Sequence, residues 1–506
     1  MKRRDFLMVG LSALAAPYIV RAQPTSSTPV FNGKRVRRRL STLNDDDPFF
    51  SAYGRAIELM HQEPETSPLS WVAQARIHAD YCEHGTLEFF PWHRPYLSLF
   101  ERICGALIGD ASFALPYWHW GDNNGRIPAP FFANGPLNVV SWNDSGSYVG
   151  QKWGPVNTVP YRYARADFGL KDGPFAGQFT DSALRAIESA PSFDLLSGLT
   201  ENPHGTVHVF VGGNPNFNLG TQRGHFSSGL SPLDPIFWLH HANVDRIWAQ
   251  SPIAISDQTS AIGDVTKTYS GMFFDENKQP VSAVLGSLFD INGQDYTYDF
   301  LVPEMQTRET RAMLEQIISA QPQLREFAQA RGIKPATGEP AIIGSAAPTS
   351  AAVVGAINRI NVPAENVANV ITTPRVVSRP LPTLEPDVSA IAVEGGRVYA
   401  RFTDVQPAAA AEGNSLKVFV NCPYLSDATP TTDPHFAGAI SFFGCSPEVC
   451  GVRNFTVDVT EPLRFGLDSG ALSPKDVQVQ LLSFSGEGAE FGATVAKLGK
   501  VELISS

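Results

Sequence analysis

Eleven histidines occur in this 506-residue chain, and nine of them fall between His78 and His241. Seven of these gather in two clusters: His78, His84 and His93, then His204, His208, His240 and His241. Residues four apart on a helix share one face, so His204 and His208 can hold one metal ion between them. A third imidazole from a facing helix would complete a three-nitrogen set with a position left open, the arrangement of a catalytic rather than a structural site. The first cluster repeats this logic with one histidine on a loop. Imidazole suits zinc, copper, iron and nickel alike. Gly205 follows His204 where a zinc protease would carry Glu, so that hydrolase motif is absent. No carboxylate stands among the candidate ligands, which disfavours a non-haem iron triad. Neutral all-nitrogen sets tolerate both Cu(I) and Cu(II), as a redox cycle requires.

Helical spacing of apolar residues predicts helices over Leu69 to His84 and Arg94 to Leu107, the latter through Leu97, Phe100, Ile103, Cys104 and Leu107. A second pair is predicted at Pro203 to Val211 and Pro235 to Trp248, each with proline near its start. After a helical stretch from Thr307 to Arg331 comes a run without periodicity, read as a linker to about residue 380. Alternating segments then begin, such as Ala390 to Val393, Arg397 to Phe402 and Val477 to Leu481. They predict a C-terminal β-sandwich over 381–506.

The composition, 43% hydrophobic and 18% charged, is that of a soluble globular protein. A formal charge of −11 disfavours nucleic acid as a partner, because phosphates call for a basic surface. The local basic run Lys34, Arg35, Arg37, Arg38 and Arg39 is read as a solvated strand. Arg3-Arg4-Asp5-Phe6-Leu7, an apolar run from Val9 to Val20 and the small-residue site Val20-Arg21-Ala22 together read as a twin-arginine signal peptide over 1–22. The expectation is therefore a periplasmic or secreted protein that uses the twin-arginine export machinery and has no membrane association once the signal is removed. Five cysteines leave one over after pairing.

Three stretches carry a specific resemblance. They are Cys82-x-His84-Gly85, Phe90-Pro91-Trp92-His93-Arg94-x-Tyr96-Leu97 with Phe100-Glu101, and Asp234-Pro235-x-Phe237-x-x-His240-His241-x-Asn243-x-Asp245-x-x-Trp248. Over about Lys34 to Leu301 the chain resembles the tyrosinase, catechol oxidase (polyphenol oxidase) and molluscan haemocyanin family of type-3 copper proteins. The resemblance implies a mainly α catalytic domain over 23–303, with a four-helix bundle around a dinuclear copper site. A helical segment and linker over 304–380 and the C-terminal β-sandwich, a possible shield domain, would follow. It also implies two copper ions with dioxygen as co-substrate, small phenolic substrates, and oxidation of o-diphenols to o-quinones. A copper-delivery protein is a possible partner. A haemocyanin-like oxygen-binding protein and an o-aminophenol oxidase are the alternatives, built from the same ligands.

Carried over by position, the resemblance places His78, His84 and His93 on the first copper and His204, His208 and His241 on the second. Whether His240 or its neighbour His241 ligates stays open at this point, and His61 is an upstream competitor of His78. Cys82 stands where many relatives join a cysteine to the second ligand, here His84, through a thioether. Phe237 and Asp245 flank His241 by one helical turn as supporting residues. Glu201 is the candidate water-holding base. Gly205 occupies a position where relatives often carry Asn to assist monophenol hydroxylation, so strong diphenol and weak monophenol oxidation is expected. Ser228 falls where plant relatives place a covering Phe, which predicts more open access unless His225 or Phe226 substitutes. His119 reads as a structural hydrogen-bonding residue, Tyr296-x-Tyr298 resembles the signature that closes the catalytic domain, and Cys445 and Cys450 are expected to form a local disulfide.

Overall fold

The computed structural model describes residues 28–213, 223–251, 253–306, 308–335, 340–348, 351–380, 389–408, 414–443, 451–470, 476–484 and 491–506. The twin-arginine segment and the pair Cys445 and Cys450 lie outside the described residues. A short strand, β1 (Lys34–Arg37), leads into three helices, α1 (Pro48–Gln62), α2 (Trp71–Tyr81) and α3 (Phe89–Ile108). Asp47 caps α1 by accepting from the Phe49 N–H, with Pro48 in the first turn where no N–H is needed. Ser70 caps α2 through the Ala73 N–H, and the helix stops at Cys82. His84 therefore lies on the loop beyond α2, outside the helix expected to reach it. Gly109 ends α3 at φ +73°, a left-handed stop that glycine adopts without strain.

A hairpin, β2 (Gly146–Gly150) and β3 (Gly154–Thr158), precedes α4 (Phe193–Gly212) and α5 (Ile236–Gln250). The Ser192 cap starts α4 well before Pro203, so this proline sits inside the helix rather than at its start. Thr200 and Thr206 donate back to Leu196 and Asn202 carbonyls on either side of the interruption. β4 (Tyr296–Tyr298) then pairs parallel to β1 and closes the helical half.

Arg35 and Arg37 of the basic run are not solvated. Arg37 is 0% exposed and Arg35 6%. Arg37 pairs with Glu101 of α3 at 2.8 Å and with Asp245 of α5 at 2.8 Å, and its guanidinium lies over the Tyr296 ring at 3.6 Å. Buried charges persist when each is paired and hydrogen-bonded, and here the partners come from 64 and 208 residues away.

After α6 (Arg308–Ala330) the chain becomes strand-rich. Its further strands include β5 (Ala341–Ala346), β6 (Ile357–Pro363), β7 (Val398–Pro407), β8 (Ser415–Val420), β9 (Phe436–Ser441), β10 (Arg453–Asp458), β11 (Asp476–Phe484) and β12 (Lys500–Ser505). One sheet orders β6-β11-β8-β9; in the other, β12 lies between β5 and β7, and β10 joins β7. Both sheets feed one apolar core, among them Ile360, Val418, Val479, Phe402 and Leu503. Part of the stretch expected to be linker therefore belongs to this half: β5 and β6 pair with β12 and β11, strands that lie more than a hundred residues later. Sequence periodicity over so short a window carries no trace of such partners.

The two halves share a core. Tyr399, Ala439, Phe443 and Ile504 of the strand-rich half pack into the apolar cluster of the helical half. Polar ties cross the same seam: Asn202 Nδ2 to Thr456 O at 2.8 Å, Gln178 Nε2 to Ala439 O at 3.1 Å, and Arg401 to Asp194 at 2.6 Å.

Candidate metal centre

α2 carries His78, α3 carries His93, α4 carries His204 and His208, and α5 carries His240 and His241. With His84 from the loop after α2, all seven rings are buried. Within the first set, ring centroids stand 5.4 Å apart for His78 and His84, 5.3 Å for His84 and His93, and 5.8 Å for His78 and His93. The sets touch, because His241 stacks on His93 at 4.3 Å and His84 on His204 at 5.2 Å.

Hydrogen bonding fixes which nitrogen is free on three of the rings. A backbone carbonyl can only accept, so Nδ1–H donates from His78 to Gly229 O at 2.8 Å, from His93 to Phe89 O at 2.7 Å, and from His208 to Phe226 O at 2.7 Å. Burial pushes the pKa of all these rings down, to about 3 for His78, and keeps them neutral. Their Nε2 atoms therefore present lone pairs. Nε2 of His78, His84 and His93 has no hydrogen-bond partner despite burial. In the second set, Nε2 atoms of His204, His208 and His241 lie 3.1, 3.3 and 3.4 Å from one another. Ligands on a tetrahedral ion with bonds of ~2.0 Å stand about 3.3 Å apart, so the three atoms have the spacing of nitrogens around one cation. The donor set, neutral imidazoles with free Nε2, fits copper.

His240 differs. Trp120 Nε1–H donates to its Nδ1 at 3.1 Å, which in the neutral ring puts the proton on Nε2, although the ring stands in one group of potential ligands with His204, His208 and His241. It lies parallel to His204 at 5.0 Å. The first set is looser than the second: potential ligand atoms cluster within 4.8 Å as His78, Cys82 and His84, and as His78, His93 and His241. His61 is removed from both sets, bonded to Ile57 O and Asp144 and stacked on Trp142 at 3.6 Å.

Asp245 does not touch an imidazole through a hydrogen bond. It accepts from Arg94 at 2.6 Å, Arg37 at 2.8 Å, and the Tyr296 and Tyr298 hydroxyls at 2.5 and 2.6 Å. These partners hold its carboxyl below the usual range against burial. The Tyr-x-Tyr pair and the basic strand thus converge on one carboxylate that anchors the helix of His241 and, through Arg94, the residue beside His93. Phe237 packs against His241 at 4.3 Å and against His78 at 5.1 Å. His119 faces Asp122 and Glu188 at 3.3 and 3.7 Å. His225 is buried and exchanges a hydrogen bond with Thr158.

Cys82 Sγ lies 3.4 Å from His84 Nδ1 and accepts from Trp153 Nε1–H at 2.8 Å. Glu201 is half-buried, takes the Gly85 N–H at 2.5 Å, and is pushed up to about 7 by desolvation, which that bond and nearby Arg453 oppose. Gly205 meets the strand-rich half: a Cβ there would lie 2.7 Å from Ser441 Oγ and 3.1 Å from Phe443 Cβ. Access beside Ser228 is not open. Phe226 tilts over His208 at 4.6 Å, and Phe443 lies flat on the same ring at 3.8 Å with an interplanar angle of 12°. Sequence motifs gave no sign of Trp153 or Arg453 near the rings, because each arrives from a distant segment without its own signature.

The tyrosinase family model, the common central domain of tyrosinase, matches residues 56–186 and 177–250. That match places residues 56–250 of this chain in the tyrosinase family, whose homologues bind two copper ions. Aureusidin synthase of Antirrhinum majus is 30% identical over 312 residues, 54% of this chain and 54% of that protein. The chloroplastic catechol oxidase B of Solanum tuberosum is 30% identical over 300 residues, 52% of this chain and 49% of that protein. The chain thus spans about half the length of the curated relatives it matches. Among solved structures, a latent aurone synthase (polyphenol oxidase) is similar over 94% of this chain and 90% of its own, with TM-score 0.58 and 19% identity. That likeness extends the shared fold across both halves.

Proposed function

We propose that this tyrosinase-family chain oxidises o-diphenols to o-quinones with dioxygen, holding one copper on His78, His84 and His93 and the other on His204, His208 and His241. The observation that carries the reading is the trio of inward Nε2 atoms at 3.1–3.4 Å beside a second set of unpartnered ones. When bound, the copper pair supplies two adjacent one-electron redox centres, enough to take both electrons of a catechol. The protein's own part is positioning. Carbonyls of Gly229, Phe89 and Phe226 aim three rings and fix their tautomers, while His240, engaged by Trp120, packs behind His204. Phe237 and Phe89 wall the rings and exclude water. Glu201, which takes the Gly85 N–H one residue after His84 and is pushed up to about 7 by desolvation, would serve as the water-holding base. Cys82 and His84 are near enough for a thioether.

In this reading α2 to α5 form the four-helix bundle around the metals, and the strand-rich half is a β-sandwich that shields them. Phe443, flat on His208, occupies space that a phenol ring needs. Export by the twin-arginine route and loading by a copper-delivery protein belong to the same proposal. The test is copper content together with oxygen uptake on catechol, before cleavage between α6 and β5 and after removal of the C-terminal fragment. Two coppers per chain with uptake that rises on removal support it; copper without uptake in either form refutes the oxidase.

A further inference from the structure

Trp153 ends the turn of the β2–β3 hairpin and takes no part in the ligand sets. The hairpin is fastened to the end of α2, the helix of His78. Trp153 and Lys152 N–H both donate to Ala79 O, at 3.2 and 3.3 Å. Gln151 N–H and the Tyr148 hydroxyl donate to Asp80, each at 2.9 Å, and Lys152 pairs with Glu83 at 2.7 Å. Close approach holds the indole from the other side, since a Cβ on Gly229 would fall 2.7 Å from the Trp153 ring.

So fixed, the indole donates its N–H to Cys82 Sγ at 2.8 Å and lies 5.7 Å from His78 and 5.8 Å from His84. On its open side it meets Phe443 edge to face at 5.0 Å, while Phe443 lies flat on His208 at 3.8 Å. One aromatic ring therefore fills the whole gap between His208 and Trp153. Offset or edge-to-face contacts are the favourable geometries for a ring in such a slot.

Resting on the oxidase reading above, we propose that Trp153 is a specificity-determining residue: a fixed indole wall, tethered to Cys82, that limits the slot vacated by Phe443 to monocyclic phenols. The residue would act on ring size rather than on the electron transfer. Its test uses the copper-loaded full chain carrying Phe443→Ala, with benzoate and 2-naphthoate as unoxidisable one-ring and two-ring probes, titrated by calorimetry. Adding Trp153→Ala is expected to improve 2-naphthoate relative to benzoate by about tenfold or more, and Trp153→Phe to keep the benzoate preference of the Phe443→Ala chain. Trp153→Leu, which also shortens the wall, replaces Trp153→Ala if the latter does not fold. An unchanged ratio in the shortened variants overturns the proposal, as does failure of the Phe443→Ala chain to bind either probe. Oxygen uptake on catechol is read separately in the same chain. Its absence would sink the oxidase reading while the ratio of the two probes still decides the role of Trp153.

Discussion

Alanine at Gly205 separates two reasons for a glycine beside His204. One is chemical, the loss of an Asn that assists monophenol hydroxylation in relatives. The other is steric. A Cβ at this position would stand 2.7 Å from Ser441 Oγ, 3.0 Å from Ser441 Cβ and 3.1 Å from Phe443 Cβ. The serine hydroxyl can rotate away, but the two Cβ atoms are fixed to the backbone at the end of β9, so the methyl must displace that segment from α4 by a few tenths of an ångström. Overpacking of this kind costs about 1–3 kcal/mol. Alanine also improves the helix by about 0.8–1.0 kcal/mol, but that gain is present whether or not the strand-rich half is seated. It cancels from the seating equilibrium. The wedge alone shifts that equilibrium toward the open form by roughly 5–150-fold while the seated form dominates.

The assay is oxygen uptake on catechol by the intact chain and by the helical half after fragment removal. Intact Gly205→Ala should be faster than the intact wild type by a factor in that range. The two separated helical halves should agree within about twofold, because the wedge has nothing left to push, with the alanine form melting higher. An intact variant no faster than wild type would refute the steric argument. So would an equal change in intact and separated forms, which would place the effect of residue 205 on the chemistry itself.

Replacing Arg37 by Met strips Glu101 of its main partner in a site with 0% exposure, leaving the Leu115 N–H at 2.8 Å and Arg35 at 3.4 Å; urea unfolding should show a loss of about 3–5 kcal/mol. His208→Ala removes one of three Nε2 atoms that stand within 3.4 Å of one another, so metal analysis should find the second copper lost and the first retained. Burial lowers the pKa of His225 to about 4. Its stabilising effect is thus complete above pH 6.5 and is lost as pH falls toward 4, so His225→Gln should flatten the acid side of the stability curve by about 1.4 kcal/mol per pH unit. With Cys82 Sγ at 3.4 Å from the His84 ring, intact mass should read two hydrogens light and stay so after reductant; a freely alkylated Cys82 contradicts the thioether.

The histidine spacings carried most of the centre because they are local: i, i+4 on α4 and the motifs around His93 and His241 each lie within one element. Partners far apart in the chain left no such mark. Arg37 reads as a surface cation in its own segment, and only the fold brings Glu101 and Asp245 to it. β5 and β6 read as linker for the same reason, their register being set by β12 and β11. Tautomers were equally invisible, since Trp120 and three backbone carbonyls decide which nitrogen is free on His240, His78, His93 and His208.

The shared core bears on how the site would open. Cleavage between α6 and β5 breaks one covalent connection and none of the contacts across the seam. Tyr399, Ala439, Phe443 and Ile504 remain packed in the helical half's core, with Asn202, Gln178 and Asp194 still bonded across it. Burying four apolar side chains is worth several kcal/mol in all, so a nicked chain should stay associated and slow. Oxygen uptake should then track removal of the fragment, by gel filtration in mild urea, rather than the cut itself. If uptake rises fully on cleavage while the fragments still co-elute, the seam is not what closes the site, and the local path of Phe443 alone must account for it.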